Sequence, residues 1–189
     1  IRAGQIKALW VIGTNGAHSW IHQSEARETL QMPDVLVVQD LYATTETARL
    51  ADIVLPKTTG LEEEEVSLDP AAPRISYTRA VLPPRGEARS DFDIAIGLAD
   101  RLEAHGIAAR RFLPWRTKRE FNAFMMGDCG IGFETLERTG YAEFDYELGD
   151  FETAGFKTPT GKIELFSERL DALGLDPLPD YAAPRSERE

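Results

Sequence analysis

Residues 6–19, IKALWVIGTNGAHS, constrain this chain more than any other segment. The apolar run Ala8-Leu9-Trp10-Val11-Ile12 stops abruptly at Gly13-Thr14-Asn15-Gly16, and a helix-compatible stretch follows. A run apolar at every position, ended by small residues, reads as a parallel strand buried on both faces. Open α/β sheets bind ligands in loops at the carboxyl ends of such strands. Two glycines let the backbone approach a ligand and leave amide N–H groups free to meet oxyanions. A plain strand-to-helix turn uses the same residue types, so this segment alone leaves both readings open.

The pattern then repeats. Strand 7–12 is followed by a helix over about 20–30, which Pro33 and Asp34 break. A second run, Val35-Leu36-Val37-Val38, ends at Gln39-Asp40. A short helix over about 45–50 follows, with Thr44 as its N-cap, and Asp52-Ile53-Val54-Leu55-Pro56 reads as a third strand closed by proline. Strand–helix–strand–helix–strand in this compass predicts an α/β unit of three layers over about 5–105, with parallel strands and right-handed crossovers. Asp40 stands where doubly wound folds often place a carboxylate toward a nucleotide; a helix cap or solvated loop acid fits the same position.

Beyond Pro56 the texture changes. Glu62-Glu63-Glu64-Glu65 reads as a solvated acidic face, because successive side chains point different ways. Residues 75–81 alternate as a strand, and Ser90-Asp91 opens a helix whose stripe of Phe92, Ile94, Ala95, Leu98, Ala99 and Leu102 is core. Further short helices are predicted over 117–126, 133–138 and 167–173, and the end at 186–189 reads as frayed. The expected organisation is a cofactor lobe over 1–106, a helical and loop insertion over 107–150 and an extension over 151–189.

A formal net charge of −11 argues against a general nucleic-acid surface. The single cysteine, Cys129, excludes a disulfide framework within the chain and a Cys-based metal centre of its own. No apolar run approaches about 18 residues, so no membrane-spanning helix is encoded. Ile1 leads almost at once into a strand, as in a cut through a longer protein.

Several ordered motifs resemble one family. GTNGAHS, VVQDLYATTETARLADIVLP, VLPPRGEARSDFDI, TPTGKIELFSE and DPLPDY follow one another as in the molybdopterin oxidoreductases of the dimethyl sulfoxide reductase type. The resemblance spans nearly the whole chain. It implies an interior piece of such an enzyme, carrying the second of two Rossmann-like lobes that hold bis-molybdopterin guanine dinucleotide with molybdenum or tungsten. Gly13, Thr14 and Asn15 match the family loop G-x-N-P, and Gly16 stands where proline is usual. The resemblance turns this loop toward the guanosine-diphosphate part of one pterin. Gln39 and Asp40 match the pair near the nucleotide, and Thr44 and Thr47 match the following turn. After the third strand Glu62 fits the family glutamate, but Glu63 to Asp69 lack the usual glycine and asparagine.

The family's cysteine cluster for a [4Fe-4S] centre and its metal-ligand loop have no counterpart here. The expected role is thus half of a guanine-nucleotide site, inactive alone, completed by the remaining domains of the parent and served by an electron-transfer subunit. The compartment stays open between prokaryotic cytoplasm and periplasm. His18, His22 and His105 do not form a ligand set, and Cys129 lacks a base partner in the sequence. The Lys162 region reads as packing against the parent, and the apolar residues of 158–181 predict burial there or self-association. A free-standing nucleotide-binding regulatory domain and a non-catalytic assembly module are the competing readings. The sequence upstream of Ile1 separates them.

Overall fold

The three apolar runs form one parallel sheet. A computed structural model of the chain describes residues 1–69, 72–127, 129–143, 149–178 and 180–181. Strands β1 (Ala8–Ile12), β2 (Val35–Asp40) and β3 (Ile53–Pro56) lie in the order β1-β2-β3. The register sets Leu9 beside Leu36, Val11 beside Val38 and Val38 beside Val54. Strand alternation therefore puts these side chains on one face. Helices α1 (Gly16–Ser19) and α2 (Gln23–Leu30) cover that face, and Ala17, Leu30 and Val38 are fully buried in its core.

The opposite face carries Trp10, Val37, Ile53 and Leu55 toward α3 (Asp91–Ala104). A cleft of about 490 Å3 lies between that face and Ile94 and Leu98 of α3. Ser90 caps α3 by accepting from the Asp93 amide at 3.0 Å, and Asp91 and Asp93 supply negative charge in its first turn. Arg89 pairs with Lys57 as a parallel bridge: the Thr58 amide donates to Arg89 O at 3.0 Å and the Arg89 amide to Pro56 O at 3.1 Å. These bonds tie the start of α3 to the end of β3.

Two expected helices differ. The helix expected over 20–30 begins at Gln23, because Trp20 is extended and His22 is left-handed at φ 55°. The helix expected over 45–50 is a 3-10 turn, Ala48–Leu50. Thr45, rather than Thr44, caps it, its hydroxyl accepting from the Ala48 amide at 3.2 Å.

A second, antiparallel sheet was not foreseen beyond its central strand. It comprises β4 (Glu65–Leu68), β5 (Arg74–Thr78) and β6 (Tyr141–Glu143) in that order. Helices α4 (Lys118–Met126) and α5 (Phe133–Thr139) accompany it, and Ile75, Met126 and Leu136 form a core separate from the first. Arg119 binds Glu137 through two hydrogen bonds, at 3.1 and 2.6 Å, joining α4 to α5.

The acidic run is not a solvated face. Glu62 is buried and accepts from the Thr59 amide at 2.9 Å and the Arg85 amide at 3.1 Å. Those bonds hold its carboxyl below the usual range, the Thr59 amide first among them. Glu63 accepts from the Thr58 hydroxyl at 3.1 Å and lies 3.6 Å from Lys118 Nζ. Glu64 accepts from the Tyr77 hydroxyl. Three consecutive carboxylates thus fasten three different elements to one loop.

Burial, and then the Glu64 contact, push the Tyr77 phenol up from 10.0 to about 12. The folded state favours the protonated phenol, so its contribution is complete below pH 10 and is lost as pH rises toward 12. Thermal melts of the wild type should therefore fall across that window, and those of Tyr77→Phe should fall less steeply. Equal slopes would remove Tyr77 as the cause.

The chain divides into two units, Ile1–Phe144 and Asp145–Glu189. The second holds α6 (Phe151–Ala154) and α7 (Glu168–Ala172). Phe151 stacks on Phe156 at 5.3 Å, and Ser167 caps α7 through the Leu170 amide at 3.2 Å. Ile163, Leu165, Leu173 and Leu175 are exposed. Residues 186–189, expected to fray, lie outside the described residues.

Candidate functional site

Gly13 follows β1 at φ +60°, a conformation that side-chain-bearing residues adopt at a cost, and its amide donates to Gln39 O at 2.9 Å. The loop thereby turns away from the sheet beside the end of β2. The next three amides, of Thr14, Asn15 and Gly16, donate to no group among the described residues. Gly16 is buried, and the Trp20 ring lies over it; a Cβ there would come within 2.7 Å of the indole. That contact gives a steric reason for glycine where the family loop has proline.

Asn15 and Thr47 lock the loop in place. Asn15 Oδ1 accepts from the Thr47 amide at 3.1 Å and the Thr47 hydroxyl at 2.9 Å. The same hydroxyl accepts from the Ala17 amide at 3.0 Å, and Thr47 is 0% exposed. Asn15 Nδ2 donates to Glu46 at 2.6 Å, which holds the Glu46 carboxyl below its usual range. The loop after β1 and the turn after β2 are thus one hydrogen-bonded body.

At the end of β2 the two motif residues diverge. Asp40 Oδ1 accepts from the Leu41 amide at 2.7 Å, while Oδ2 carries no hydrogen bond to a described residue. Gln39 is 2% exposed, and its Nε2 donates to Asp91 at the start of α3. The Asp91 carboxylate also binds Lys57 Nζ at 2.6 Å. Lys57 in turn donates its backbone amide to Asp40 O at 3.2 Å.

The eight residues singled out in the sequence therefore gather at the carboxyl ends of β1 and β2 and divide by what their atoms have left to offer. The amides of Thr14, Asn15 and Gly16, the Thr14 and Thr44 hydroxyls and Asp40 Oδ2 have no partner among the described residues. The side chains of Asn15, Gln39 and Thr47 are occupied in holding the loops. Gly13 supplies the turn. Lys57 and Asp91 went unnoticed in the sequence. The signals were a lysine directly after the strand-closing Pro56 and an aspartate directly after the cap Ser90.

A family model described as molybdopterin oxidoreductase matches residues 1–101. Acetylene hydratase of Syntrophotalea acetylenica is 31% identical over 187 residues, covering 95% of this chain and 24% of its own length. Dimethyl sulfoxide/trimethylamine N-oxide reductase of Rhodobacter capsulatus is 31% identical, covering 92% of this chain and 23% of its own. The solved structure of acetylene hydratase from Pelobacter acetylenicus superposes with a TM-score of 0.72 at 30% identity, over 94% of this chain and 24% of that one. The chain thus spans about a quarter of the length of the curated relatives it matches.

Proposed function

Because this chain belongs to the molybdopterin oxidoreductases of the dimethyl sulfoxide reductase family, we propose that it forms half of the site for the guanosine-diphosphate part of bis-molybdopterin guanine dinucleotide. The observation that carries the reading is the row of three unpartnered amides at Thr14, Asn15 and Gly16, at the end of β1. Buried or half-buried N–H groups are seldom left unpaired, and consecutive ones suit an oxyanion. The Thr14 and Thr44 hydroxyls add neutral donors, and the free Asp40 oxygen accepts from base N–H groups. These groups fit a diphosphate at one end and a purine at the other.

When bound, the metal on the cofactor supplies the redox chemistry. This chain's part is to hold and orient the nucleotide end, and it is inactive alone. A [4Fe-4S] centre and the metal-ligand loop belong to other parts of the parent, with an electron-transfer subunit as partner. The exposed Ile163, Leu165, Leu173 and Leu175 meet those other parts.

A half-site leaves much of its ligand in water, so the chain alone should bind GDP only weakly, with Kd about 1 mM. Calorimetry giving submicromolar GDP binding would contradict the half-site. In the full-length parent, Asp40→Ala should lower cofactor loading about tenfold, the loss of one hydrogen bond to a charged acceptor. Unchanged molybdenum and guanine content per protein would remove Asp40 from the site.

A further inference from the structure

Lys57, Asp91 and Gln39 form a polar cluster at the ends of β2 and β3 that the nucleotide reading leaves unused. Lys57 has a side chain only 20% exposed, and its ammonium lies 2.6 Å from Asp91. An ammonium has three N–H donors and Asp91 takes one. Gln39 is fixed as well. A carboxylate accepts only, so the Gln39 nitrogen must face Asp91 and its oxygen must face elsewhere. That oxygen accepts no hydrogen bond from a described residue.

The groups left at the strand ends are therefore two acceptors, Gln39 Oε1 and Asp40 Oδ2, and one cationic donor, Lys57. They are close by construction: Asp40 stands opposite Pro56 in the register, and the Lys57 amide donates to Asp40 O at 3.2 Å. Gln39 and Lys57 flank the strand ends from the α3 side, Asp40 from the other. A planar base lying across those ends meets both sides.

Resting on the nucleotide-site reading, we infer that Lys57 makes this site select guanine over adenine, with Asp91 as the positioning residue that aims both Lys57 and Gln39. Guanine offers two donors, N1–H and the N2 amino group, and an acceptor at O6, which is the complement of two acceptors and one donor. Adenine puts an amino donor where guanine has O6. It would face the Lys57 ammonium with a like group, and a site with an unpaired buried donor rejects such an analogue. Asp91 touches no ligand. It acts by holding the ammonium in place and by fixing which end of the Gln39 amide is presented.

The test titrates the 189-residue chain with GDP and with ADP, followed by amide NMR shifts, for wild type, Lys57→Met, Lys57→Arg and Asp91→Asn. The wild type should prefer GDP. Lys57→Met should lose about tenfold of that preference, the equivalent of one lost charged hydrogen bond. Lys57→Arg, which keeps a cationic donor, should retain most of it. Asp91→Asn should weaken the preference while shifts at Gly13 and Thr14 still report phosphate binding, a split that mere loosening of α3 would not produce. If GDP binds and both Lys57→Met and Asp91→Asn keep the wild-type preference, the inference falls and the nucleotide site stands. If up to about 10 mM GDP moves neither Thr14 nor Asp40, the nucleotide reading itself falls, and the inference with it.

Discussion

Thr47→Val should unfold the molecule about 5–10 °C earlier than wild type, although it exchanges one hydroxyl for one methyl group and leaves the surface untouched. The Thr47 hydroxyl donates to Asn15 Oδ1 and accepts from the Ala17 amide, at a position of zero exposure. Valine fills the same volume and strands both partners where water cannot replace the bond. Leaving buried groups unsatisfied costs about 1–3 kcal/mol each, so a total of about 2–3 kcal/mol is expected, since the Asn15 oxygen keeps its bond to the Thr47 amide. The effect should also be local. Hydrogen exchange should quicken at Ala17 and His18 well before it does in α4 or α5. A melting point within about 1 °C of wild type would show that the hydroxyl network carries no weight. Because the network sets the loop, the same variant should bind GDP less well.

This network also marks where sequence reasoning stops. Strands β1, β2 and β3 were legible because runs such as Leu36-Val37-Val38 are apolar on both faces and bounded by polar or small residues. The start of α3 was legible because Ser90 and Asp93 stand at cap spacing. Local signals of this kind need no partner from elsewhere in the chain.

The division of labour among the site residues was not legible. Asn15 and Thr47 are 32 residues apart, and Gln39 and Asp91 are 52 apart. Whether a motif residue presents an atom to a ligand or spends it on another loop depends on those long-range pairs. The same is true of the acidic run. Four glutamates in a row look like solvated charge, yet Glu62, Glu63 and Glu64 each meet a group placed by a different segment. The antiparallel sheet escaped for a related reason: β6 has only three residues, Tyr141–Glu143, and exists because β5 is there to pair with it.

The two cores make a second large effect separable from the first. Leu30 and Leu136 are both fully buried, one beneath the parallel sheet and one beneath the antiparallel sheet. Truncating either to alanine removes the same atoms, and each should cost about 2–5 kcal/mol. Their consequences for the site should differ. Leu30 ends α2 and packs in the cluster that contains Ala17, directly after the unpartnered amides, and Ala48, directly after Thr47. Leu30→Ala should therefore loosen the loop as well as the fold, lowering GDP-induced shifts at Thr14 and Asp40. Leu136 packs with Ile75 and Met126, in a cluster that shares no residue with the first. Leu136→Ala should destabilise to a similar degree and leave those shifts unchanged at temperatures where the chain remains folded. Distant substitutions without shared partners add, so the double variant should lose the sum of the two within about 0.5 kcal/mol. Equal damage to GDP binding from both single variants would mean that the two sheets act as one cooperative core and that the nucleotide loop reports on global stability rather than on its own packing.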